Sequence, residues 1–326
     1  MLRRRAHLLL PAVAVALALA GPPARSAVSA DPVRTWTIHY VAHNGIDRLA
    51  YVVLPSWYGP KSHPPIPLVI SPHGRGATGR SNAELWGDLP AIGVFAVVSP
   101  DGMGRRLPSF SYGYAGQIDD LAKMPAFAER ALPWLRLDRR RVYALGSRMG
   151  GQETLLLVAR HPRLLAGAAA LDSVTNLARR YRQLPSLPCD ERCLQAWGQP
   201  YGIALQASMR REVGGTPVEK PGAYAARSPL AQARRIAESG VRLQIWWSTW
   251  DRIVPDQRHQ SYALFRELRR LNPCAPISAY VGIWTHSKEM RASSFLPVVL
   301  SGFDLLPGDA RSFPPSVRST GFPSCA

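Results

Sequence analysis

A chain of 326 residues, 46% hydrophobic and 19% charged, carries enough apolar material for one large core, which excludes an intrinsically disordered protein. The formal charge of +18 favours acidic surfaces or ligands, yet lysine occurs only at positions 61, 123, 220 and 288. The excess is therefore arginine scattered along the chain, no nucleic-acid module accompanies it, and no nucleic-acid partner is expected.

Arg3, Arg4 and Arg5, an apolar run over 8–20 and a small-residue stretch ending Val28-Ser29-Ala30 read as an export signal over residues 1–30. The run is too short and too interrupted, by Pro11, for a bilayer span of about 20 residues. Loss of the four arginines in that leader leaves +14, and no later stretch is apolar enough to span. The remainder is expected to be secreted or extracytoplasmic, where its four cysteines would pair. Of three possible pairings the most natural joins Cys189 to Cys193 as a local clip and Cys274 to Cys325 as a staple for the tail. C-x-x-C spacing is absent, and no metal or cofactor is expected.

Residues 31–306 read as one domain. Two β-rich stretches, 35–41 and 49–54, flank the turn signal Asn44-Gly45 and predict an opening hairpin. An apolar strand, a glycine-rich turn and an amphipathic stretch then recur, the rhythm of βα units in a mostly parallel sheet with helices on both faces. Strands are expected at 68–71, 94–99, 142–145, 165–171, 243–248 and 277–281. Helices are expected at 81–91, 119–132, 150–161, 231–239, 255–271 and 294–303. Residues 176–228, rich in Pro, Gly and Arg, break the rhythm and read as a cap insertion over the carboxyl edge of the sheet, with a plain surface excursion as the alternative. The pairs Arg179-Arg180, Arg234-Arg235 and Arg269-Arg270 read as solvated faces, and residues 307–326 as an irregular tail.

The sharpest local feature is Tyr143-Ala144-Leu145-Gly146-Ser147-Arg148-Met149-Gly150-Gly151, a strand that turns directly into an apolar helix. It resembles the nucleophile elbow, G-x-S-x-G, of the α/β-hydrolases, whose glycines make room for a sharp turn that lifts the central side chain over the sheet edge. Gly146 and Gly150 frame the motif, so the central residue is Arg148 and Ser147 stands one place early. Upstream, Pro72-His73-Gly74-Arg75-Gly76 resembles the H-G-x-G loop whose N–H groups form half of an oxyanion hole. The resemblance implies donors at Gly74 and Arg75, with the N–H of Met149 as the other half. Downstream, Asp251 follows a strand as the family's acid does, and His286 matches its late histidine loop. The order nucleophile, acid, histidine is that of α/β-hydrolases.

This resemblance covers 67–305 and has the flavour of secreted esterases, polyester depolymerases and prolyl-oligopeptidase-like domains. It implies ester or peptide hydrolysis through an acyl-enzyme. Arginine cannot take the serine's part, because its guanidinium offers five donors and no lone pair. The expectation is an exported serine-hydrolase-family protein, catalytically impaired, that binds an anionic or acyl ligand. Arg148 would disfavour protonation of His286 and could pair with Asp251. Two alternatives remain: an active esterase or peptidase using Ser147 with His286 and Asp251, and a non-catalytic cell-envelope binding protein. A small-molecule ester, peptide or anion is the expected partner. Tyr112, Tyr114, Trp250 and Trp284 are expected to line the pocket.

Overall fold

The computed structural model describes residues 31–284, 291–307, 317–320 and 325, all within one unit, Asp31–Ala326. Residues 1–30, where an export signal is expected, and most of the tail lie outside the described residues.

The chain opens with β1 (Val33–Val41) and β2 (Asp47–Pro55), an antiparallel pair closed by Gly45 at φ 79°. There follow β3 (Ile66–Ile70), α1 (Gly79–Glu84), α2 (Leu89–Gly93), β4 (Ala96–Pro100), α3 (Ala115–Ala131), β5 (Leu137–Ser147), α4 (Met149–Arg160) and β6 (Gly167–Leu171). Next come α5 (Leu177–Gln183), α6 (Glu191–Trp197), α7 (Tyr201–Val213), α8 (Pro221–Ala226), α9 (Ala233–Ala237), β7 (Arg242–Ser248), α10 (Ser261–Leu271), β8 (Ile277–Gly282), α11 (Leu296–Ser301) and β9 (Arg318–Ser319).

The strands form one sheet in the order β1-β2-β4-β3-β5-β6-β7-β8-β9. Pairing is parallel from β4 through β8 and antiparallel where β1, β2 and β9 join. Successive side chains on a strand face opposite ways, so a strand covered on both sides needs apolar residues throughout. Leu68 and Ile70 accordingly belong to the core on one face, which also takes in Ile118 of α3, Leu155 of α4 and Leu264 of α10. Val69 packs on the other face with Trp86, Leu296 and Val299.

Two helices and a strand differ from the sequence reading. The single helix expected at 81–91 is two, because Gly87 takes φ 51° and Pro90 enters at the start of the second. Val94 adopts φ 52° as the cap of α2, which delays β4 to Ala96. Asp256, at φ 65°, likewise holds back α10 to Ser261.

Residues 176–228 hold four helices, α5 to α8, with a small core of their own around Leu184, Leu205, Met209 and Tyr224. Asn176 starts α5 by accepting from the Arg179 N–H, and Asp190 starts α6 by accepting from that of Cys193. Two disulfides join Cys189 to Cys193 and Cys274 to Cys325. Among the described residues no helix is long and apolar enough to cross a membrane.

Candidate active site

The junction of β5 and α4 is a single residue, Arg148, whose φ of 55° and ψ of −112° lie where side-chain-bearing residues are strained. The turn is tight because glycines let backbone approach backbone. A Cβ at residue 146 would stand 2.5 Å from the Gly150 carbonyl carbon, and one at residue 150 would stand 2.3 Å from the Pro72 carbonyl oxygen. Gly150 thus seats the elbow against the 72–76 loop. The turn is also pinned to the sheet, since the Arg148 N–H donates to the Leu171 carbonyl at 2.8 Å.

Above this turn lies a hollow with about 420 Å³ of atom-free space, its mouth included. Arg75 reaches it from the loop after β3, Arg148 and Met149 from the elbow, Val174 from beyond β6, and Ile253 and Val254 from beyond β7. These positions follow the carboxyl ends of neighbouring parallel strands, where open α/β sheets place their ligands. Leu177, Arg180 and Met209 join the wall from residues 176–228. Ser147 is the last residue of β5, paired with Leu171, and is not part of the lining.

The guanidinium carbon of Arg148 lies 3.9 Å from where a Cβ of residue 74 would stand, so the cation sits over the Gly74-Arg75 segment. His73 fixes that segment. Its Nε2 accepts from the Gly102 N–H at 2.6 Å, which leaves the proton on Nδ1 to reach the Gly74 carbonyl at 2.7 Å. Burial pushes the His73 pKa down and keeps the ring neutral in that role. Met149 opens α4, at a helix terminus where N–H groups and dipole both favour negative charge.

Asp251 is buried three residues beyond β7, and its Oδ1 accepts from the N–H groups of Ile253 at 2.7 Å and Val254 at 3.1 Å. His286 lies outside the described residues. Of the four aromatics expected in the pocket, Tyr112 lines it, with Arg75 beside its hydroxyl. The other three stand elsewhere, each for a local reason. Tyr114 packs against His43 beneath Arg227, Trp250 is 48% exposed under Arg252, and Trp284 is buried with its indole N–H on Asp172.

The residue that sequence reading missed is Arg180. It is 3% exposed, in α5, with Nη2 donating to the Ile253 carbonyl, and it lines the pocket instead of facing solvent. Its neighbour Arg179 behaves differently and pairs with Asp256. Burial, with the like charge of Arg75 second, lowers the Arg180 pKa to about 10, which still leaves a cation at neutral pH. The one available signal was helical spacing: Leu177 and Arg180, three apart, share the buried face of α5.

No protein-family profile matches the chain, and no curated protein matches it. Solved structures do. An S-formylglutathione hydrolase from Staphylococcus aureus superposes with a TM-score of 0.53 at 16% identity, covering 78% of this chain and 92% of that one. A brefeldin A esterase, described as a bacterial homologue of human hormone-sensitive lipase, gives 0.58 at 20% identity, covering 89% and 78%. For an acylaminoacyl peptidase of Pyrococcus horikoshii the score is 0.61 at 15% identity over 85% of this chain, which spans only 42% of that protein. Together with the strand order and the helices on both faces of the sheet, these likenesses give the chain the α/β-hydrolase fold.

Proposed function

We propose that the chain is an exported protein of serine-hydrolase lineage in which Arg148 holds the nucleophile's position, so that ester or peptide hydrolysis is impaired and the pocket binds an anionic or acyl ligand. The observation that carries this reading is the Arg148 backbone, at φ 55° and ψ −112° between β5 and α4, with the side chain in the pocket. Such a conformation costs on the order of 1–3 kcal/mol and is expected where a side chain must be lifted over the sheet edge.

What stands there is a permanent cation with donors only, so acyl transfer through residue 148 has no nucleophile. The surrounding N–H groups, aimed to hold an oxyanion in a hydrolase, would here stabilise an anion already present in the ligand. Export is supported by the two disulfides, which persist in oxidising compartments. In this reading Asp251 and His286 are the inherited acid and histidine.

Arg148→Ser should create hydrolysis of small p-nitrophenyl esters, or raise it by at least about a hundredfold, since a nucleophile contributes on the order of 10⁶ in kcat when the rest of a triad is in place. A folded Arg148→Ser protein as inert as the parent would remove the inherited-triad reading. Labelling with a fluorophosphonate gives a companion measurement, with no adduct on the parent and one at position 148 in the variant. An adduct on Ser147 of the parent would assign the chemistry to that serine instead.

A further inference from the structure

We propose that the pocket takes a monocarboxylate bearing an apolar chain, with Arg180 of the cap insertion as its principal anchor, an inference that rests on the reading of this site as a ligand pocket.

The first observation is an unsatisfied donor. Nη1 of Arg180 is buried and has no hydrogen-bond partner among the described residues, although Nη2 of the same guanidinium is held by the Ile253 carbonyl. A buried charged group left with an idle donor is costly, and a ligand oxygen is a natural partner for it. Because Nη2 is already tethered, the plane of the guanidinium is set before the ligand arrives, so little side-chain entropy remains to be lost on binding.

The second observation is the charge of the lining. Three guanidinium side chains, those of Arg75, Arg148 and Arg180, share this wall, and no acidic side chain is among its described lining residues. Asp251 acts on Arg180 from nearby and offsets part of that charge. The Arg75 guanidinium makes Arg180 harder to keep charged, a mutual repulsion that an anion between them would relieve. The N-terminus of α4, a helix of 12 residues, adds its dipole to the same space.

The third observation separates a carboxylate from a bare inorganic anion. Val174, Leu177, Met209, Ile253 and Val254 supply most of the remaining wall, beside Tyr112, Met149 and the polar Gln152, so a ligand that carried only charge would leave apolar surface in water. A carboxylate matches the planar fork of arginine, and its attached chain would cover that surface.

Calorimetric titration of the full protein with octanoate, acetate, octanamide and inorganic phosphate tests this. Octanoate should bind tighter than each of the other three by roughly tenfold or more, and Arg180→Leu should weaken octanoate by roughly ten- to a hundredfold. Octanamide equal to octanoate would reduce the site to an apolar hollow, phosphate equal to it would reduce the site to an anion hole, and either result overturns the proposal. So does an absence of octanoate binding up to millimolar concentration. If Arg180→Leu fails to fold, a crystal structure of the unaltered protein with octanoate decides the point. The carboxylate is expected within hydrogen-bond distance of Arg180 Nη1, and a carboxylate turned away from it overturns the assignment. Esterase activity in Arg148→Ser without octanoate binding to the parent would sink this ligand class alone. Octanoate binding beside an inert Arg148→Ser would sink the lineage reading alone.

Discussion

Glu153 shows what burial does to a single charge beside this site. It lies in α4 five residues after Arg148, is 1% exposed, and accepts a hydrogen bond from the Ser111 hydroxyl. Loss of solvation outweighs that bond and pushes its carboxyl from 4.5 to about 7. The folded protein therefore keeps a proton that the unfolded chain releases, and stability falls as pH rises. The contribution is full below about 4.5, declines above it, and is lost as pH climbs through about 7. A difference of that size corresponds to about 3 kcal/mol. Glu153→Gln removes the titration, so urea unfolding should show less loss between pH 5 and pH 8 than in the parent, by up to about 3 kcal/mol. Parallel losses in the two proteins would place the ionisation of Glu153 elsewhere on the pH scale. At this scale the candidate site was half legible. The spacing of Gly146 and Gly150 singled out residue 148, which lies at φ 55° between β5 and α4 and lines the pocket. Arg180 stayed hidden because an arginine pair on a polar segment reads as solvated, and only the docking of α5 against the 251–254 loop removes it from water.

Between elements, the 176–228 segment lends Leu177, Arg180 and Met209 to the pocket, and one buried carboxylate ties that segment to the loop after β4. Glu212 of α7 accepts from the backbone N–H groups of Arg105, Arg106 and Leu107 in the loop after β4, with the Arg227 guanidinium 3.5 Å away. Its side chain is wholly buried. Truncation to alanine leaves three N–H groups without their acceptor and the buried Arg227 cation without its counter-ion, so Glu212→Ala should cost about 3–5 kcal/mol. It should also expose 176–228 to limited proteolysis before the rest of the domain. A loss below about 1 kcal/mol in chemical unfolding would show that solvent or another group takes over the role. The strands of the sheet were readable because burial on both faces forces unbroken apolar runs, as in Leu68, Val69 and Ile70. The 176–228 segment was readable only as an interruption. Its helices are short, α5 and α6 having seven residues each, and Pro and Gly obscure their period, so packing around Leu205, Met209 and Tyr224 settles what propensity leaves open.

Across the whole molecule, the question is how the far end of the chain is kept on the sheet. β9 pairs antiparallel with β8 over only two residues, Tyr280 with Ser319 and Val281 with Arg318, and covers the edge of the last parallel strand. So short a strand adds little by itself, and the Cys274–Cys325 disulfide confines it by closing a span of 51 residues. The Cys189–Cys193 clip closes a span of four. A crosslink stabilises chiefly by restricting the unfolded chain, and the effect grows with the logarithm of the loop. On that basis the long closure contributes about 4 kcal/mol and the short one about 2. Replacing Cys274 and Cys325 by alanine together should therefore lower the stability measured in denaturant by about twice as much as replacing Cys189 and Cys193. The first change should also promote association, because an uncovered β8 edge offers unpaired backbone groups to another copy. Equal losses from the two double variants would mean that the tail is held by its pairing to β8 and not by the crosslink. A larger loss from the short clip would place the stability of the fold in residues 176–228.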